Sequence, residues 1–131
     1  MADWTEAGVT TKVSPLSVAD TVTRLTGLLS AKDLKVFAVI DQSAEATRAG
    51  LQLRETMLVL FGNPVAGTPV MAAAPMAALD LPLKVLVWDD HGQTSVSYYG
   101  PAALAERYHL GSDLQAKLAA IDPLTDTLIA H

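Results

Sequence analysis

Leu83-Lys84-Val85-Leu86-Val87-Trp88, then Asp89-Asp90-His91-Gly92, then Thr94-Ser95-Val96-Ser97-Tyr98-Tyr99 is the stretch on which the fold turns. The first segment is apolar and β-branched, the second is a cluster of turn-forming residues, and the third alternates in character with a period of two. Two such runs joined by a short Gly-containing loop read as a β-hairpin. A hairpin forces antiparallel pairing, so any sheet built around it is at least partly antiparallel.

Upstream of the hairpin, Met57 to Leu79 contains no charged residue. A membrane span needs about 20 apolar residues in one unbroken helix. Here Gly62, Asn63, Pro64, Gly67, Pro69 and Pro75 interrupt the run, and proline inside a helix removes a hydrogen bond and clashes with the preceding turn. The expectation is a core strand, Thr56 to Phe61, followed by short broken helices that face protein rather than water. Asn63-Pro64 reads as an N-cap followed by proline at the first helical position, and Thr68-Pro69 repeats that pattern. The neutral run must then be shielded by the sheet, by a ligand or by a second copy of the chain.

Further out, Gly8 to Ser14 alternates Val9, Thr11 and Val13 with polar residues and reads as a first strand. Ser17 with Asp20 starts an amphipathic helix bearing Val18, Val22, Leu25 and Leu29. Leu34 to Ile40 is apolar on both faces after Lys35, the mark of an interior strand. Asp41 and Ser43 can cap the next helix, whose small residues Ala46, Ala49 and Gly50 would let it sit close to the sheet. After the hairpin, Ala102 to Tyr108 and a segment from Ser112 with Leu114, Leu118 and Ile121 read as helices, and Asp122-Pro123 starts a last one. The order predicts an α+β two-layer sandwich: a mostly antiparallel sheet of about five strands with helices packed on one face. No Gly-rich phosphate loop follows the first strand, which disfavours a doubly wound parallel sheet.

The chain has 131 residues, read as a single domain over 1–131; 50% are hydrophobic and 18% charged, which excludes a disordered chain. Nine Lys+Arg against 14 Asp+Glu give a net charge of −5, with no basic run to meet nucleic acid or an anionic membrane surface. There is no cysteine, so thiol chemistry and thiolate metal sites are excluded. The N-terminal residues lack a basic start and an apolar core, so the expected location is cytoplasmic.

Phe37-Ala38-Val39-Ile40-Asp41, Leu60-Phe61-Gly62-Asn63-Pro64, Asp80-Leu81-Pro82 and the strand from Leu83 to Asp89, in that order, resemble the domain-of-unknown-function 302 family. The resemblance covers Thr11 to Tyr99 and implies a compact α+β domain, often dimeric, with no assigned activity. Many relatives carry cysteine where this chain has Gly62, so a thiol-dependent role does not transfer.

Asp41, Asn63 and Asp80 lie at the ends of apolar segments. If they converge, they line the rim of a ligand pocket floored by Phe61 and Trp88. The plainer reading makes both carboxylates helix or turn caps, and Asn63 a self-capping residue rather than an anion site. Asp89-Asp90-His91 is the one carboxylate–imidazole cluster, but it sits where a turn wants Asp and Gly for backbone reasons. His109 and His131 have no partner in the sequence. No catalytic, metal or cofactor motif is present. Three functions follow: a non-catalytic, self-associating domain, a homodimer, that holds a small ligand beside Met57 to Leu79; an enzyme using Asp41, Asp80 or Asp89/His91 for acid–base chemistry; or a purely structural subunit.

Overall fold

The computed structural model describes residues 6–130, so residues 1–5 and His131, read above for a targeting signal and a stray imidazole, lie outside the described residues. The chain runs β1 (Val9–Ser14), α1 (Val18–Ala31), β2 (Lys35–Asp41), α2 (Gln42–Arg48), β3 (Thr56–Gly62), α3 (Pro64–Ala73), a 3-10 helix (Pro75–Asp80), β4 (Leu83–Asp90), β5 (Gln93–Tyr99), α4 (Pro101–Tyr108), α5 (Ser112–Ala116) and α6 (Ile121–Ile129). The five strands form one sheet in the order β1-β5-β4-β3-β2, and every neighbouring pair is antiparallel. This is the α+β sandwich that the sequence predicts.

The hairpin turn is built as its residues dictate. Asp90 pairs with Gln93 across a two-residue loop, and both His91 (φ 54°) and Gly92 (φ 91°) adopt positive φ. That is the conformation a tight hairpin needs to match the strand twist, and glycine adopts it without penalty. Asp89 Oδ1 accepts from the Gly92 N–H at 3.1 Å and fastens the loop.

Alternation along the strands sends one set of side chains to the helices. Val59 and Phe61 of β3, Val85 and Val87 of β4, and Val96 and Tyr98 of β5 bury against Val18, Val22, Leu25 and Leu29 of α1 and Ile121, Leu124 and Leu128 of α6. Each such side chain contributes about 1.5–3 kcal/mol on leaving water. Ser17 Oγ accepts from the Asp20 N–H and starts α1 as expected. Arg24 of α1 donates to the carbonyls of Leu128 and Thr127 at 3.0 Å each, satisfying the open C-terminus of α6.

Several expectations are corrected. β2 is an edge strand, not an interior one; its second apolar face stays half-open, and Phe37 and Val39 are exposed. α2 ends at Arg48 and buries no residue, so Ala49 and Gly50 fall beyond the helix. Pro69 does not start a new helix: α3 runs through it, forgoing only the hydrogen bond that a proline nitrogen cannot donate. The neutral run is only partly shielded. Val70 and Ala77 are buried in a second cluster with Leu104 and Leu118, whereas Val65, Met76 and Leu79 leave 80%, 64% and 75% of their surface in solvent.

Candidate functional site

At one end of the sheet, β3 runs out at Gly62 and the chain turns sharply into α3. Asn63 Oδ1 accepts from the Val65 N–H at 2.9 Å, and the Asn63 carbonyl takes the Ala66 and Gly67 N–H groups at 3.0 and 2.9 Å. The first turn of α3 is therefore satisfied by its own cap, as the plainer reading of Asn63 predicts, and offers no free backbone donor to an anion.

Beside this turn lies an apolar cavity of about 310 Å³. Phe61, Gly62 and Asn63 form one side and Pro64, Gly67 and Met71 of α3 another; Leu34, Phe37 and the Leu81–Leu83 segment, with its cis Leu81–Pro82 bond, complete the walls along with the Lys117–Ala120 turn between α5 and α6. The register between β2 and β3 shifts between Val36 and Ala38, leaving Phe37 without an opposite residue, and such bulges re-aim side chains next to sites. Gly62 matters for the shape: a Cβ there would come within 3.7 Å of the Phe37 ring and 3.9 Å of Pro82 Cβ, and would occupy the space between them. A concave, mostly apolar space of this size with a few polar groups has the character of a small-molecule site.

Of the residues expected to converge, Phe61 and Asn63 meet in this cavity, and Asp41, Asp80 and Trp88 do not line it. Asp41 pairs with Met57, and Trp88 with Thr56, at the opposite end of β3. Asp41 caps α2, accepting from the Ser43 hydroxyl at 2.7 Å and the Ala44 N–H at 2.9 Å, and these two bonds hold its carboxyl below the usual range. Trp88 Nε1 donates to Ser97 Oγ at 3.0 Å on the sheet face away from α1 and α6.

Asp80 lies on the far side of Leu81, against α4. Partial burial pushes its pKa up, but donation from the Tyr108 hydroxyl and the Arg107 guanidinium outweighs that, so the net direction is down. Beneath it, Val70, Ala77, Leu104 and Leu118 pack with no room for a water molecule. Asp90 and His91 pair with each other at 2.9 Å in the exposed hairpin turn. Among the described residues, no three His, Asp or Glu side chains gather as a metal site.

Sequence reasoning misses Leu34, Phe37, Met71 and Lys117. Leu81-Pro82 carries a signal in the family resemblance, and Phe37 sits in another of its segments. Lys117 carries none, because a lysine in a helical segment reads as a solvated surface residue.

The family model described as "Domain of unknown function DUF302" matches residues 9–128. Among curated proteins, "Fluoride-specific ion channel FluC 1" of Brucella suis biovar 1 (strain 1330) is 36% identical over 132 residues, spanning 100% of this chain and 52% of its own length. "Fluoride-specific ion channel FluC 2" of Brucella melitensis biotype 1 is also 36% identical, spanning 100% of this chain and 49% of its own length. The chain thus spans about half the length of the curated relatives it matches. The crystal structure of an uncharacterized conserved DUF302 protein from Bacillus stearothermophilus superposes with a TM-score of 0.79 at 18% identity, covering 95% of this chain and 97% of that one. At that identity the likeness is one of fold.

Proposed function

The chain belongs to the DUF302 family, and from that premise we propose that it is a non-catalytic, self-associating domain that holds a small ligand beside its uncharged segment. The observation that carries the binding role is the cavity of about 310 Å³ between the end of β3, α3 and the α5–α6 turn. The carboxylates that an enzyme would need are otherwise engaged: Asp41 in a cap, Asp89 in a turn and Asp80 with Tyr108 and Arg107. Self-association is supported by Val65, Met76 and Leu79, large apolar side chains of the neutral run left in water.

Native mass spectrometry of protein purified without additives tests both halves. The expected spectrum is a dimer, with a neutral solvatochromic dye such as prodan retained on titration. A monomer that retains no dye at low micromolar concentration overturns the proposal.

The curated relatives favour a second role in the same class. In it, the domain is a ligand-responsive part of, or partner to, a fluoride channel, lying outside the bilayer. Two facts support this: the chain matches half of each channel-named relative, and no helix among the described residues is long and apolar enough to cross a membrane. In proteoliposomes, the Brucella suis relative shortened by its matched half should still pass fluoride. Complete loss of fluoride efflux on shortening would count against that role.

A further inference from the structure

The cavity walls are apolar, yet the polar side chains among them share one property. Lys117 is the single ionisable residue of the lining, and no carboxylate accompanies it. No ion pair or side-chain hydrogen bond among the described residues engages its ammonium, while three other cationic side chains, Lys12, Arg48 and Arg107, each meet an Asp or Glu. The other polar side chain of the lining is Asn63. Its oxygen is occupied by the Val65 N–H, so the amide presents its NH₂ group as the donor that remains.

In a chain of net charge −5, this apolar cavity is therefore served by donors and a positive charge. We infer that its ligand is an amphipathic anion: a carboxylate on an apolar body small enough for a cavity of about 310 Å³, with Lys117 as counter-ion at the rim. The apolar body lies against Phe61, Met71, Leu81 and Leu83, and the head group stays at the partly wet edge, where a lysine keeps its ammonium hydrated while its stem covers apolar surface. This rests on the ligand-binding role proposed above and specifies its chemistry.

Displacement of prodan, which is neutral, by octanoate and by 1-octanol at pH 7 tests the inference on the full chain and on Lys117→Met. Wild-type protein is expected to release the dye at about fivefold lower octanoate than octanol, the range of an exposed charge pair. That advantage should shrink as salt is raised. In Lys117→Met the two displacers should become equal once each is scaled to that variant's own prodan affinity. Lys117 is exposed, so the variant should melt with the wild type, and Lys117→Gln repeats the test with a polar side chain. Equal displacement by acid and alcohol in the wild type overturns the anion inference and leaves the cavity role standing. An acid preference that survives both Lys117 variants overturns the assignment to Lys117. Failure of prodan to bind at all overturns the cavity role and this inference together.

Discussion

The Tyr108 hydroxyl donates to Oδ2 of Asp80 at 2.5 Å, joining the last turn of α4 to the end of the 3-10 helix, and Arg107 reaches the same oxygen at 2.7 Å. Both donors favour the ionised carboxylate, and the folded-state pKa of Asp80 lies below its ordinary value. The unfolded chain therefore binds more protons than the native one between the two pKa values, and stability rises with pH across that window. The contribution is complete above about pH 4 and is lost as pH drops through the folded value. Asp80→Asn should flatten the acid limb of a urea-midpoint profile below pH 4 relative to the wild type. Parallel acid limbs would show that the pair does not feel the pH.

Phe61 is 1% exposed and serves both the core and the cavity wall. Phe61→Ala should cost about 3–5 kcal/mol by chemical denaturation. Phe61→Leu should cost less and enlarge the cavity, shifting preference toward longer aliphatic displacers in the prodan assay.

Gly67 lies within α3, where a Cβ would meet Met71 Cε at 3.9 Å, an ordinary contact. Gly67→Ala should raise stability by about 0.5–1 kcal/mol, the usual gain over glycine in a helix. Gly67→Leu should weaken prodan binding severalfold without unfolding the protein. A mutant that binds as tightly as the wild type would place the dye elsewhere.

Lys12 reaches from β1 to α6, donating to Thr125 Oγ1 at 2.6 Å and the Asp122 carbonyl at 3.1 Å, with Asp126 at 2.8 Å. Its ammonium also stands 5.3 Å from the centre of the Tyr98 ring. Lys12→Met should lower stability by about 1–2 kcal/mol, since it strips bonds to partly buried acceptors. Asp126 is largely exposed, so Asp126→Asn should cost no more than about 1 kcal/mol. The reverse order in urea titrations would mean that the surface ion pair, not the inner bonds, holds β1 to α6.

Leu79 is 75% exposed on the 3-10 helix. Leu79→Lys should keep the subunit folded, because the side chain is exposed within one subunit and such positions change its stability by about 0.5 kcal/mol. It should nevertheless move the sedimentation coefficient toward that of a monomer. An unchanged coefficient would take this segment out of the self-association surface.

The parts of the fold set by local chemistry were legible in the sequence. The strands around Asp89–Gly92 announce themselves by alternation, and Ser17, Asp41 and Asn63 cap the helices that follow them. What depends on tertiary placement was not. Leu34 to Ile40 looks like an interior strand because both faces are apolar, but strand order is set by where α1 carries the chain, and that leaves β2 at the edge. Asp41, Asp80 and Trp88 look like partners of Phe61 and Asn63 only while the antiparallel register is unknown. Once Asp41 pairs with Met57, it must sit at the far end from Asn63. Lys117 reaches the cavity because the chain turns between α5 and α6, a feature with no local signature.

β1 completes the sheet by pairing with β5, so Thr10 lies opposite Tyr98 and Thr11 shares a hydrogen bond with Ser97, 86 residues away. On a ribosome this first strand emerges early and finds no partner, whereas β2, β3 and β4 can zip up in the order they are made. Only when the stretch through Tyr99 has cleared the exit tunnel does β1 acquire its place. Nascent chains halted before that point should present it to proteases, and release of the remaining residues should protect it in a single late step.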